Sequence, residues 1–106
     1  GALSAAERVR LMDVFAGFFH AGPSIRSVGD IPDHDAVGAH QIAPNVAKQI
    51  LTESKVTDGP EVIRYHYSIE GGEISRFVFH FATDGTFLDA SRSSVATDIG
   101  KPIYFE

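Results

Sequence analysis

The hydrophobic positions along the chain fall into two regimes, helical spacing near the start and strict alternation after residue 60. In the first, apolar side chains recur at Val9, Leu11, Met12, Val14, Phe15, Phe18 and Phe19. Leu11, Phe15, Phe18 and Phe19 follow the three-and-four spacing that gathers side chains on one helical face. Ser4-Ala5-Ala6-Glu7 reads as a capping box, in which a hydroxyl and a carboxylate each satisfy an orphan amide. Gly22-Pro23 supplies the stop. The expectation is a helix over residues 5–20 with a buried aromatic stripe. Four such side chains at about 1.5–3 kcal/mol each would decide where it docks. A second helix is predicted over residues 44–54, with Pro44 in the first turn and Val46, Ile50 and Leu51 facing inward. Thr57-Asp58-Gly59-Pro60 ends it.

Beyond residue 60 the period is two. Ile63, Tyr65, Tyr67 and Ile69 alternate with Arg64, His66 and Ser68. Phe77, Phe79 and Phe81 alternate with Arg76, Val78 and His80. These are strands over residues 61–69 and 74–82. Asp84-Gly85 is a two-residue hairpin signal leading into a third strand over 86–92, and Ile103–Phe105 is a short fourth. Residues 21–42 break every period at Gly22, Pro23, Gly29, Pro32 and Gly38. Ser24–Val28 is the one strand candidate there. Loops of this length within a small domain are often functional.

The turns suggest a register. A three-residue loop Gly71-Gly72-Glu73 sets Tyr67 opposite Phe77, Tyr65 opposite Phe79 and Ile63 opposite Phe81, joining all the aromatic side chains on one buried face. The Asp84-Gly85 turn sets Phe81 opposite Leu88, Phe79 opposite Ala90 and His80 opposite Asp89. Together they predict a transverse row of Arg64, His80 and Asp89 on the polar face, with His66 beside Val78 and Ser91. The fold class expected is α+β: one domain over residues 1–106, with the N-terminal helix, joined by the second, on one face of an antiparallel meander of three to five strands.

Composition narrows the function classes. Nine Lys+Arg against fourteen Asp+Glu give a net charge of −5, which disfavours nucleic acid because phosphate binding needs a cationic surface. No apolar run reaches the ~20 residues of a membrane-spanning helix. The absence of cysteine removes disulfides, thiolate catalysis and cysteine-ligated metal sites. Gly1 at the start and Met12 as the one methionine leave two expectations side by side, an exported or excised segment and a cytoplasmic protein.

The candidate chemistry is sparse. In the Arg64–His80–Asp89 row, Asp89 could orient His80 while Arg64 holds an anion. The plain reading is the wet face of a one-sided sheet, with opposite charges paired across strands. No nucleophile motif accompanies the row, so no catalytic residue is assigned. Asp33-His34-Asp35 with His40 offers metal-ligand types, but the histidines lack the spacing of HExxH, and no metal or cofactor is expected. Tyr65, Tyr67, Phe77, Phe79 and Phe81 either fill the core or line an apolar pocket under the helix. The ligand-binding candidates are therefore Arg64, His66, His80, Asp89, Tyr65 and Phe79.

The run Tyr67-Ser68-Ile69-Glu70-Gly71-Gly72-Glu73-Ile74-Ser75-Arg76-Phe77-Val78-Phe79-His80-Phe81-Ala82-Thr83-Asp84-Gly85-Thr86-Phe87-Leu88 resembles the closing meander of PAS-like and Cache-like sensor domains, and Asp98-Ile99-Gly100-Lys101 resembles the Gly-Lys that follows it in Cache-type domains. PepSY-type and cystatin-like domains, with a helix before a similar meander, look similar too, as do NTF2-like folds. The first resemblance implies a non-enzymatic module that binds a small ligand between helix and sheet. The PepSY or cystatin resemblance implies a protein-interaction or inhibitory domain. The NTF2-like one implies a small enzyme using His80 and Asp89. The partners expected are a small molecule or a protein, including a second copy in a homodimer.

Overall fold

Helix α1 (Ala5–Phe18) starts where the capping box places it. The Glu7 amide donates to Ser4 Oγ at 3.2 Å, and the Ser4 amide donates to Glu7 Oε1 at 3.1 Å. The computed structural model describes residues 4–32, 34–35, 37, 39–54 and 60–100. The predicted turn at Thr57-Asp58-Gly59, the Asp33 end of the Asp-His-Asp motif, Lys101 and the predicted strand Ile103–Phe105 lie outside the described residues.

The inward face of α1 differs from the expected stripe. Met12 and Ala16 are buried, Leu11 and Phe15 pack at the rim, and Phe18 is 79% exposed. With apolar residues all round the helix, spacing alone selects no face. Small Ala16 and pliable Met12 allow close approach to the sheet, which bulkier Phe18 would prevent. Phe15 still meets Phe77 and Phe79 edge to face, with ring centroids 5.9 and 5.4 Å apart.

The helix does not stop at Gly22. The Ala21 amide donates to the Ala16 carbonyl (3.3 Å) and the His20 amide to the Gly17 carbonyl (3.2 Å), with His20 at φ 50°. This is a Schellman closure whose left-handed residue is His20, a position glycine usually takes. Gly22 has another duty. At φ 78° it passes so close to β2 that a Cβ would strike the Tyr67 carbonyl.

Strands β1 (Ser24–Ile25), β2 (Glu61–Ser68), β3 (Glu73–Phe81) and β4 (Phe87–Ala96) form one antiparallel sheet in the order β1-β2-β3-β4. A short 3₁₀ turn spans Val28–Asp30, and α2 (Pro44–Glu53) has proline in its first turn as expected. Ile50 of α2 is buried and Val46 partly so, but Leu51 is exposed. The α+β class expected from the sequence, two helices packed on an antiparallel meander, is the one observed, but the helices lie on opposite faces of the sheet and not together on one.

The β2–β3 register is three residues away from the expected one. Ser68 pairs with Glu73, Tyr67 with Ile74, Tyr65 with Arg76, Arg64 with Phe77 and Val62 with Phe79. The loop is the four residues 69–72, with Gly71 and Gly72 both left-handed, at φ 76° and 60°. An odd shift exchanges faces. Tyrosines and phenylalanines therefore lie on opposite sides of the sheet. Phe77, Phe79, Phe81 and Val62 pack with Met12 and Ala16 of α1. Tyr65, Tyr67, Ile74 and Ile25 pack with Ile50 of α2 and with Ile31. Each helix has its own face, and burial no longer favours putting all the aromatic residues together.

The β3–β4 turn is also one residue longer than expected. The Gly85 amide donates to the Ala82 carbonyl (2.9 Å), and the Ala82 amide to the Thr86 carbonyl (2.8 Å). Phe81 then pairs with Phe87 rather than Leu88. A bulge between His80 and Phe81 absorbs the extra residue, so His80 opposite Asp89 and Phe79 opposite Ala90 are found as predicted.

Candidate functional site

The predicted polar row survives in part. His80 and Asp89 meet across β3 and β4, Nδ1 to Oδ1 at 2.5 Å. The third member is Glu61, whose Oε2 is 3.2 Å from His80 Nε2. Arg64 is not in the row, because the register shift carries it to the α1 side. There its guanidinium lies 3.1 Å from Asp13 Oδ1 and donates to Ser24 Oγ at 3.0 Å. His80 is raised above the usual histidine pKa by the Asp89 hydrogen bond and then by Glu61. Only the imidazolium can donate to both carboxylates at once. In that state neither ring nitrogen is left for a substrate.

Tyr65 and Phe79 are both fully buried, so neither presents a surface to a ligand. The Tyr65 hydroxyl donates to Glu53 Oε1, and Arg76 donates to both Glu53 oxygens (3.3 and 3.0 Å). Burial, then the Glu53 hydrogen bond, pushes the Tyr65 phenol up to about 12. Arg76 holds the Glu53 carboxyl down at about 2. This triad fastens α2 to the tyrosine face. His40 pairs with Gly100 through backbone groups, and the His34 ring contacts the Ile31 carbonyl at 3.1 Å. Among the described residues no group of three or more His, Asp and Glu side chains is arranged to hold a metal ion.

His66 is the candidate that the shift moves most. It sits opposite Ser75 on the α1 side, 2% exposed, with its ring edge-on to Phe77 at 5.3 Å. Its Nδ1 is 2.8 Å from the Gly22 carbonyl. A carbonyl can only accept, so Nδ1 carries the proton and Nε2 presents a lone pair. Nε2 is buried and has no hydrogen-bond partner. Burial lowers the His66 pKa, outweighing the Gly22 bond that raises it, and this keeps the ring neutral.

His66 forms one wall of a cleft where α1 turns into β1. Asp13, Gly17, His20, Ala21, Gly22, Pro23 and Ser24 complete this lobe, of about 430 Å³. A second lobe of about 440 Å³ continues past Pro23 to Pro32, Tyr67, Ile69 and Glu70, and its walls are mainly apolar. A third, of about 320 Å³, reaches Phe19, Glu73 and Thr97. His20 lines all three. Each is within the roughly 300–1,000 Å³ of ordinary small-molecule sites.

Sequence reading found His66 but missed His20, Asp13, Pro32 and Glu70 as its companions. The available signals were the long 21–42 segment and a histidine placed where a helix normally ends on glycine. The interior between α1 and the sheet, where a pocket was expected, is packed by Phe15, Phe77 and Phe79. No protein-family model matches the chain, and no curated protein or solved structure does so either.

Proposed function

We propose that the protein is a small-molecule-binding module whose site is the cleft around His20. The observation that carries this reading is the meeting of three lobes on one left-handed histidine, with His66 in the wall of one of them. A non-glycine residue held left-handed, as His20 is, costs about 1–3 kcal/mol, and such strain gathers at functional sites. The pocket belongs to the helix–sheet junction rather than to the helix–sheet interior.

The test is a fragment screen followed by amide chemical shifts. Binders should perturb His20, Gly22, Ser24, His66 and Glu70 together. His20→Gly should keep the fold and weaken those binders at least about tenfold. Shifts confined to other surfaces, or no shifts, would remove the reading.

A second reading has its own observation. β4 is ten residues long, largely exposed, and among the described residues it pairs with β3 alone. Such an edge can add a strand from a partner, which is the interaction-domain alternative. Ser93→Pro should abolish that association and leave fragment binding in the cleft intact.

A further inference from the structure

We infer that two copies of this chain associate through the open edge of β4 and the flank of α1 beside it. The inference rests on the edge-strand reading, gives that edge one occupant, and is independent of the cleft.

Two uncovered surfaces lie side by side. The first is β4, which among the described residues is paired along one side only. Its register with β3 shifts near each end, and residues 89–94 run regularly between the shifts. This run is exposed except for half-buried Ala90, and it has neither the proline nor the lysine that commonly guards an edge. The second surface is the aromatic stripe of α1. Asp13 reaches Arg64 of β2 on one flank of that helix. Phe15 and Phe19 lean the other way, toward β3 and β4: Phe15 meets Phe79, and the Arg92 guanidinium of β4 lies over the Phe19 ring at 5.3 Å. Leu11 and Phe18 stand four residues before and three after Phe15, so they share its flank. Phe18 is largely exposed and Val14, one turn before it, more than half exposed. The apolar stripe therefore runs along the β4 side of the molecule.

One partner fits both surfaces. An extended peptide would complete β4 and leave the flank of α1 open. A second copy brings a strand and an apolar helix flank at the same offset. A two-fold axis perpendicular to the sheet sets the edge strands antiparallel and keeps both α1 helices on one side. Centred on Ser91, it places Ser91 opposite Ser91, Ala90 opposite Arg92 and Asp89 opposite Ser93, so no like charges are opposed. Centred on Arg92, it would oppose two guanidinium groups. Ser91 lies opposite Val78, between Phe77 and Phe79, and both of those rings touch Phe15. The axis thus passes at the level of Phe15, which brings Leu11 of one helix alongside Phe18 of the other.

Sedimentation equilibrium from about 5 µM to 1 mM reads the association, and so short a pairing run should give a Kd of about 10–500 µM. Ser91→Lys and Ser91→Glu should each weaken the dimer severalfold, because the axis sets each new charge against its own copy. An equimolar mixture of the two should restore it. Phe18→Glu should weaken it about tenfold or more while the circular dichroism stays that of wild type, since Phe18 is exposed in a single copy. A monomer at every concentration overturns the inference. So does a dimer that the Ser91 variants or Phe18→Glu leave at wild-type strength. A monomer that binds extended peptides along β4 overturns the second copy and keeps the edge-strand reading. Fragment binding in the cleft, measured on Ser91→Lys, tests the small-molecule reading separately.

Discussion

His20 and His80 show how one residue type takes opposite roles in a 106-residue chain. His20 holds the left-handed corner of a helix end, and His80 is clamped between two carboxylates on the surface. The first predicts that His20→Gly raises stability by about 1 kcal/mol, measured by urea denaturation, because glycine meets no Cβ penalty there. That gain, alongside lost binding, would separate function from folding. The second predicts an NMR titration of His80 above the ordinary 6.5, with the pKa falling back when Asp89→Asn removes its main partner. Unaltered titration in that variant would mean the pair does not persist in solution.

The elements are joined by a few specific side chains. α2 meets the sheet through Ile50 and through Glu53, which accepts from both Tyr65 and Arg76. Glu53→Ala should cost about 1–3 kcal/mol, since it strands a buried phenol and a half-buried guanidinium. Tyr65→Phe should cost less, because Arg76 keeps its partner; equal losses in urea melts would contradict that division. For α1, Phe77→Ala beneath it should cost about 3–5 kcal/mol, while Phe18→Ala on its outer side should stay within about 0.5 kcal/mol. A large loss at Phe18 would restore the stripe that the spacing suggested.

At the scale of the molecule, acid acts on the fold through groups of opposite sign. Glu53 is held down to about 2, so its contribution is present above its unfolded value near 4.5 and is lost as pH falls toward 2. His66 is also lowered, by burial. Its contribution is complete above the unfolded value of 6.5 and declines as pH falls below that. His80 is raised, so its contribution is full below 6.5 and is lost as pH climbs through its folded value. Thermal melts between 6.5 and the folded His80 value should therefore gain stability from this pair as pH falls in wild type, and gain less in Asp89→Asn, where Glu61 is the partner left. Superimposable pH profiles would show that His80 carries no linkage.

Local patterns determined what local physics controls. The capping box, the proline-started second helix, the alternation within β2 and β3, and the His80–Asp89 pair were all legible, because each depends on near neighbours or a tight turn. Only the tertiary structure decided which faces meet. The register inferred from sequence assumed a sheet with one buried side, and a sheet covered on both sides by α1 and α2 removes that constraint. Once Gly71 and Gly72 admit a four-residue loop, Arg64 and His66 move to the α1 side and the tyrosines to the α2 side. The cleft around His20 is assembled from residues 13 to 97, and no period in the chain encodes a place where a helix end, a strand edge and a hairpin loop come together.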